Sequence, residues 1–253
     1  MLIPISHLKG YWKIEPRGTL HVGAHLGEEQ SDYSDFGFEP VVWIEAQAEL
    51  VTSLKSRVSE PSRVIQALVW NTDGDELSFK LASNGQSSSV FDFGSHKNQY
   101  PDIKVEKSQI LLSSRLETIL PDNLNLNFLN LDIQGAEYEA LEGLGELLSE
   151  FDYVYAEVNR AQLYSGIRLV KEIDNYLLGF GFVRAATCWT NAGWGDALYL
   201  KKDWAITTFR SPMKFKIRVG IYWIWLHLLA LSPNRLISWT FSKLSRFSPS
   251  KVQ

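Results

Sequence analysis

The sequence predicts an α/β protein: a doubly wound, mostly parallel, seven-stranded sheet with an antiparallel last strand, a β-hairpin insertion and a C-terminal helical tail. Three observations carry this expectation. Short apolar, β-branched runs alternate with stretches of helical period, the pattern of strands covered on both faces by crossover helices. The runs VRAATCWT and DALYLKK are separated only by the Gly-containing turn NAGWG, too short for a crossover helix, so they should pair antiparallel. After Asp203 the chain changes in charge and hydropathy together, as at a domain boundary.

Residues 18–22 read as a short buried strand that stops at Gly23. VVWIEAQ (41–47) is a second strand with Glu45 at its end, and RVIQALVW (63–70) is a third. From Asn71 to about Lys107 the stretch NTDGDELSFKLASNGQSSSVF carries a D-G turn signal and period-two patches, which predict a β-hairpin and a polar loop. SRLETIL (114–120) predicts a short helix, and NLNFLNLDIQ (125–134) a fourth buried strand. In the following GAEYEALEGLGELLSE, Ala136, Ala140, Leu141, Leu144, Leu147 and Leu148 fall close to helical spacing. Glu137 and Glu139 stand in its first turn, where the helix dipole favours them. FDYVYAEVN (151–159) is a further strand, and RLVKEIDNYLLGFGF an amphipathic helix closed by glycine. One domain is expected over residues 1–203 and an appendage over 204–253.

Apolar residues make up 45% of the 253 and charged residues 21%, the balance of a globular chain with a real core. The single cysteine, Cys188, excludes an internal disulfide framework and a Cys-rich zinc site. The N-terminus lacks a basic segment followed by a long apolar one, so no signal peptide is expected and a cytoplasmic location is the simplest reading. Residues 1–203 carry 17 basic and 29 acidic groups, a net of −12, against eight basic and no acidic groups in the tail, the two summing to −4. No nucleic-acid partner is expected. Within the tail, VGIYWIWLHLLAL (219–231) is apolar apart from His227, with Lys214, Lys216 and Arg218 before it and Arg235 after it. It is shorter than the about 20 apolar residues of a spanning helix. Its basic flanks and Trp223, Trp225 and Trp239 suit a helix lying in a membrane surface, which would place the protein at the inner face of a membrane. The alternative is a helix packed on its own domain or in a homodimer.

TLHVGAHLGEE (19–29) has the position of a nucleotide-binding loop, between a strand and a helix-like stretch. Gly23 permits the tight turn, and Gly27 is expected to bring the helix against the sheet. His25 stands where the GxGxxG fingerprint has the glycine that admits a pyrophosphate, and Glu28 and Glu29 oppose an anion. Glu45 follows Gly23 by 22 residues at the end of the second strand, where a carboxylate accepts hydrogen bonds from both ribose hydroxyls. A ribose without a pyrophosphate points to S-adenosylmethionine, whose sulfonium and ammonium groups suit an acidic pocket. Two alternatives remain: a nicotinamide-dependent oxidoreductase, and a non-catalytic nucleotide-fold scaffold anchored by its tail.

At LNLDIQGAEYEALEGL (129–144), together with LHVGAHLGEE, WIEAQ, ALVWNTDGDELSF, SSSVF and GWGDALYLKK, the sequence resembles the FkbM-type methyltransferases. These are Rossmann-like, class I, S-adenosylmethionine-dependent enzymes that mostly methylate oxygen. The resemblance covers roughly residues 18–202 in order. It implies that Gly23, Gly27 and Glu45 contact the cofactor, that Asp132 lies at the reaction centre, and that Ser87 to Ser89 form a loop close to the pocket. His25, Ala67 and Asp132 are further candidate cofactor contacts. The chain departs from the family pattern at His25, at Ala46 in place of Pro, and at Gln134 in place of Glu.

The function expected is transfer of a methyl group to a hydroxyl of a small molecule or a sugar or glycan. Asp132 and Glu157, after neighbouring strands, are the candidate catalytic pair, one of them a general base. With Asn159 and Asp196 they also form a candidate oxygen set for a divalent cation such as magnesium.

Overall fold

A computed structural model of the chain describes residues 1–121 and 125–231. It divides into two compact units, Met1–Thr208 and a second beginning at Phe209. In order, the first unit runs α1 (Ile5–Gly10), β1 (Thr19–Val22), α2 (Gln30–Phe36), β2 (Val41–Glu45), α3 (Ala48–Lys55), β3 (Arg63–Gln66) and β4 (Leu68–Val69). It continues with β5 (Glu76–Ala82), α4 (His96–Gln99), β6 (Val105–Ser114), α5 (Leu116–Ile119), β7 (Phe128–Leu131) and α6 (Glu137–Leu144), the last prolonged by a 3-10 turn over Gly145–Glu150. β8 (Tyr153–Asn159), α7 (Val170–Gly179), β9 (Phe182–Trp189), β10 (Trp194–Lys201) and α8 (Lys202–Phe209) follow, and α9 (Pro212–Leu231) belongs to the second unit.

The seven-stranded sheet expected from the sequence is present, in the order β3-β2-β1-β7-β8-β10-β9. Strands β3, β2, β1, β7 and β8 are parallel, and β10 inserts antiparallel between β8 and β9. Every residue of β1, β2, β7 and β8 is buried, which is why these strands read as continuous apolar runs. Helices cover both faces: α6 turns Ala140, Leu141 and Leu144 inward, α7 turns Ile173 and Leu177, and α3 turns Val51 and Leu54. Strand order reverses between β1 and β7, the switch point at which such sheets open a ligand crevice. The register pairs Val22 with both Ile44 and Leu131. Gly23, Glu45 and Asp132 therefore come to one edge of the sheet.

Three local expectations are corrected. RVIQALVW is not one strand: Ala67 donates its N–H to the Glu45 carbonyl (3.0 Å), and beyond it β4 leaves the large sheet to pair with β6. The Asp73-Gly74 turn does not join two paired strands either. It leads from β4 into β5, which pairs with β6 across the connection 83–104, giving a separate β4-β6-β5 sheet. The ten-residue β6 occupies 105–114, mostly exposed, so its weak alternation left no strand signal. Finally, the helix expected over 114–120 is the four-residue α5.

No helix among the described residues is long and apolar enough to cross a membrane. Of the tail's expected features, Arg235 and Trp239 lie outside the described residues.

Candidate active site

The carboxyl ends of β1, β2, β7 and β8 open into a cavity of about 510 Å³. Its wall includes Gly23, His25, Glu45, Ala67, Asp132, Glu157 and Asp196, but neither Gly27 nor Asn159. The first loop turns sharply because the end of β1 meets the end of β7. Gly23 has φ 88°, and a Cβ there would stand 1.9 Å from the Asp132 carbonyl oxygen. Gly27 serves another purpose than the one expected: its missing side chain makes room for Leu54 of α3, 2.8 Å from where a Cβ would lie. α2 begins only at Gln30, so Glu28 and Glu29 belong to the loop.

Glu45 organises this loop. Its Oε2 accepts the His25 N–H (2.8 Å) and its Oε1 accepts the Gln47 N–H (2.8 Å). Burial pushes its pKa up, and the two backbone donors oppose that shift. A carboxylate oxygen has two acceptor positions, so each oxygen keeps one beyond the backbone bond it accepts here. His25 holds a left-handed φ of 44°, and its Nδ1 lies 2.6 Å from Glu28 Oε1. The histidine ring thus gives one of the two adjacent glutamates a hydrogen-bond partner within the loop.

Across the cavity, Asp132 follows β7 and Glu157 lies in β8, and Gln134 ties them together. Its Nε2 donates to Asp132 Oδ1 (2.7 Å) and to Glu157 Oε2 (3.2 Å), and its Oε1 accepts from Tyr164 Oη (2.6 Å). Gln134 has a left-handed φ of 55° and is braced by Ser89, whose Oγ donates to its carbonyl (2.8 Å). Glutamate at 134 would place a third acid where the amide now donates to both Asp132 and Glu157. Asp132 is open to the cavity yet enclosed by protein. That burial, with the nearby charge of Asp196, raises its pKa to about 6. Glu157 is buried, and burial together with the charge of Asp132 holds it well above the usual carboxylate range. Two neighbouring acids so placed favour different protonation states. Asp132 caps no helix: the N-cap of α6 is Ala136.

The candidate cation ligands do not assemble. Asp196 sits within β10, with Oδ2 accepting from Tyr155 Oη (2.5 Å) and the Leu2 N–H (2.5 Å). Asn159 Oδ1 is buried without a partner, and Asn159 is not on the cavity wall. Between Asp132 and Glu157 stands the Gln134 amide, a donor where a cation requires oxygen. No group of three or more His, Cys, Asp or Glu spaced to hold a metal ion occurs among the described residues. The donor set does not fit a divalent cation, and no step is derived through one.

Several residues on or behind the cavity wall carry no signal of that role in the local sequence. Glu137 is fully enclosed, its pKa raised to about 8 by burial, and its carboxylate accepts the N–H groups of Ile133 (3.0 Å) and Gly135 (3.1 Å). It fixes the loop that carries Gln134. His96, Tyr100 and Trp194 form an outer wall, with Trp194 Nε1 donating to Tyr100 Oη (2.8 Å). Phe93 stacks on the buried His96 ring at 4.1 Å. Segment 93–96 is stitched to 162–164 by backbone bonds from Gly94, Ser95 and His96, so two loops distant in sequence share the outer wall. The serine loop is close by, with Ser87 and Ser88 on the cavity wall.

A model of the methyltransferase FkbM domain matches residues 21–184. No curated protein matches the chain. Among solved structures, it is similar to a SAM dependent methyltransferase from Aquifex aeolicus, at 16% identity over 79% of this chain and 89% of that one, with a TM-score of 0.43. It is similar to M. capricolum TrmK in complex with S-adenosyl-homocysteine, at 8% identity over 78% and 68%, with a TM-score of 0.44. It is also similar to magnesium protoporphyrin IX methyltransferase from Synechocystis with bound SAM, at 10% identity over 73% and 69%, with a TM-score of 0.42. With well over half of its length matched by the family model, the chain belongs to the FkbM methyltransferase family and is a S-adenosylmethionine-dependent methyltransferase.

Proposed function

We propose that the protein methylates a hydroxyl oxygen of a small molecule, a sugar or a glycan, with Asp132 as the group that takes the proton. The Asp132–Gln134–Glu157 arrangement carries this reading. When bound, S-adenosylmethionine supplies an electrophilic methyl carbon with a neutral thioether leaving group, so the protein's task is to position and activate the acceptor. Glu45 holds the ribose through its two remaining acceptor positions, and Gly23, His25 and Ala67 form the floor beside it. Asp132 faces the cavity, anchored by the Gln134 amide at one oxygen, with the other turned to the acceptor. A hydroxyl of high pKa needs such a base, and a carboxylate raised towards neutral pH accepts a proton better than an ordinary one. Burial and the charge of Asp132 push Glu157 above the usual carboxylate range, so of the two acids Asp132 is the one placed to take the acceptor's proton. The aromatic wall of Tyr100 and Trp194 suits a ring-shaped, hydroxyl-bearing acceptor.

Asp132 must be ionised to act. Its raised pKa therefore places a loss of activity on the acid side, with kcat/KM falling about tenfold per pH unit below about 6 and level above it. Labelled methyl transfer to a panel of sugars and hydroxylated small molecules, followed from pH 5 to 8, checks this. Transfer confined to nitrogen acceptors, or a flat profile across that range, contradicts the proposal.

A further inference from the structure

The exposed side of α9 is apolar and framed by lysines. Met213, Ile217, Ile221 and Ile224 are 71%, 51%, 54% and 63% exposed, and a contiguous apolar stripe, unlike scattered single residues, marks an interaction surface. With about 3.6 residues per turn, these four and the exposed Gly220 fall on one side of the helix, while Tyr222 on the opposite side is buried. On that geometry Lys214 borders the stripe on one flank and Lys216 on the other, both exposed. Trp225 and Trp223 continue the same two flanks, half-buried.

We propose that α9 docks on an anionic lipid surface, lying in the interface plane with this stripe in the acyl boundary. Lysines on both edges reach up to headgroup phosphates while their stems cover the apolar rim, and tryptophans favour the same depth. The charge of the segment decides between occupants. No acidic residue follows Asp203, whereas eight basic residues do. A second copy of the helix would bring lysine against lysine across an apolar seam, and an anionic membrane pairs them instead. No described helix is long and apolar enough to cross a bilayer.

Flotation of the full chain with phosphatidylglycerol-containing vesicles, and with phosphatidylcholine alone, tests it. The protein is expected to float with the anionic vesicles and to be released by salt. Lys214→Gln with Lys216→Gln lowers partitioning by about fivefold per lysine removed. Ile217→Asp with Ile224→Asp abolishes flotation, while affinity for S-adenosylhomocysteine stays unchanged and shows that the chain is folded. Wild-type protein remaining at the bottom of the gradient with anionic vesicles overturns the proposal, as does a stripe variant that floats like wild type. A stripe variant that turns a dimer into a monomer, with no vesicle binding by either, assigns the face to a second copy and also overturns it.

Discussion

Asp132→Asn is expected to lower turnover by about 10²–10⁴-fold, the usual contribution of a positioned general base, while leaving cofactor affinity within a factor of two or so. The substitution keeps the local geometry. An asparagine carbonyl accepts the Gln134 Nε2 hydrogen bond that now goes to Asp132 Oδ1. It also removes a negative charge that stands near Glu157 and Asp196, so the melting temperature should equal or exceed that of wild type. The acid limb of the pH profile should vanish with the carboxylate that causes it. A variant with full turnover, or one that keeps the limb near pH 6, removes Asp132 from the chemistry.

Gly23→Ala should be the most damaging small substitution in the first loop. A Cβ at 1.9 Å from the Asp132 carbonyl oxygen and 2.7 Å from its carbonyl carbon meets backbone, which cannot rotate away. The left-handed φ of 88° adds strain of its own. Overpacking and a left-handed alanine together cost roughly 3 kcal/mol or more. For a domain of this size that lowers Tm by on the order of 10 °C, and the displaced Asp132 takes activity with it. Gly37 is the control. It also has a left-handed φ, 71°, but a Cβ there meets nothing within 4 Å. Gly37→Ala should cost only about 1–2 kcal/mol, the backbone share. Thermal melts of the two variants decide: equal losses would show that the β1–β7 contact is not as tight as described.

The central strands are legible because parallel strands under helices on both faces bury every side chain, and FLNL or VVWI has no other reading. Glu45 is legible because one carboxylate at the end of β2 has a fixed distance along the chain from the β1 turn. Ala67 illustrates the opposite case. Nothing in RVIQALVW marks the residue where the chain passes from one sheet to another, since the break depends on which neighbour takes the next hydrogen bond, Glu45 or Ser114. Gln134 stands out in the sequence only as a departure from a family pattern. Its bridging role needs Tyr164, Ser89 and Glu157, which come from three other segments. His96, Tyr100 and Trp194 lie in segments whose placement is set by long-range backbone bonds or by strand pairing with β8, so local periodicity carries no trace of the wall they form. The first loop gains most from the structure: His25 spends its N–H on Glu45 and its ring on Glu28, so the residue that spoils a phosphate loop holds the Glu45 carboxylate in place.

The most direct test of this account is calorimetric titration of S-adenosylhomocysteine into wild type and Glu45→Ala. Wild type should bind one molecule per chain. Glu45→Ala loses two hydrogen bonds to a charged acceptor along with the carboxylate that orders His25 and Gln47, and should bind about 100-fold more weakly. Equal affinity for the two proteins, or no binding by wild type, would contradict the placement of the cofactor in this cavity.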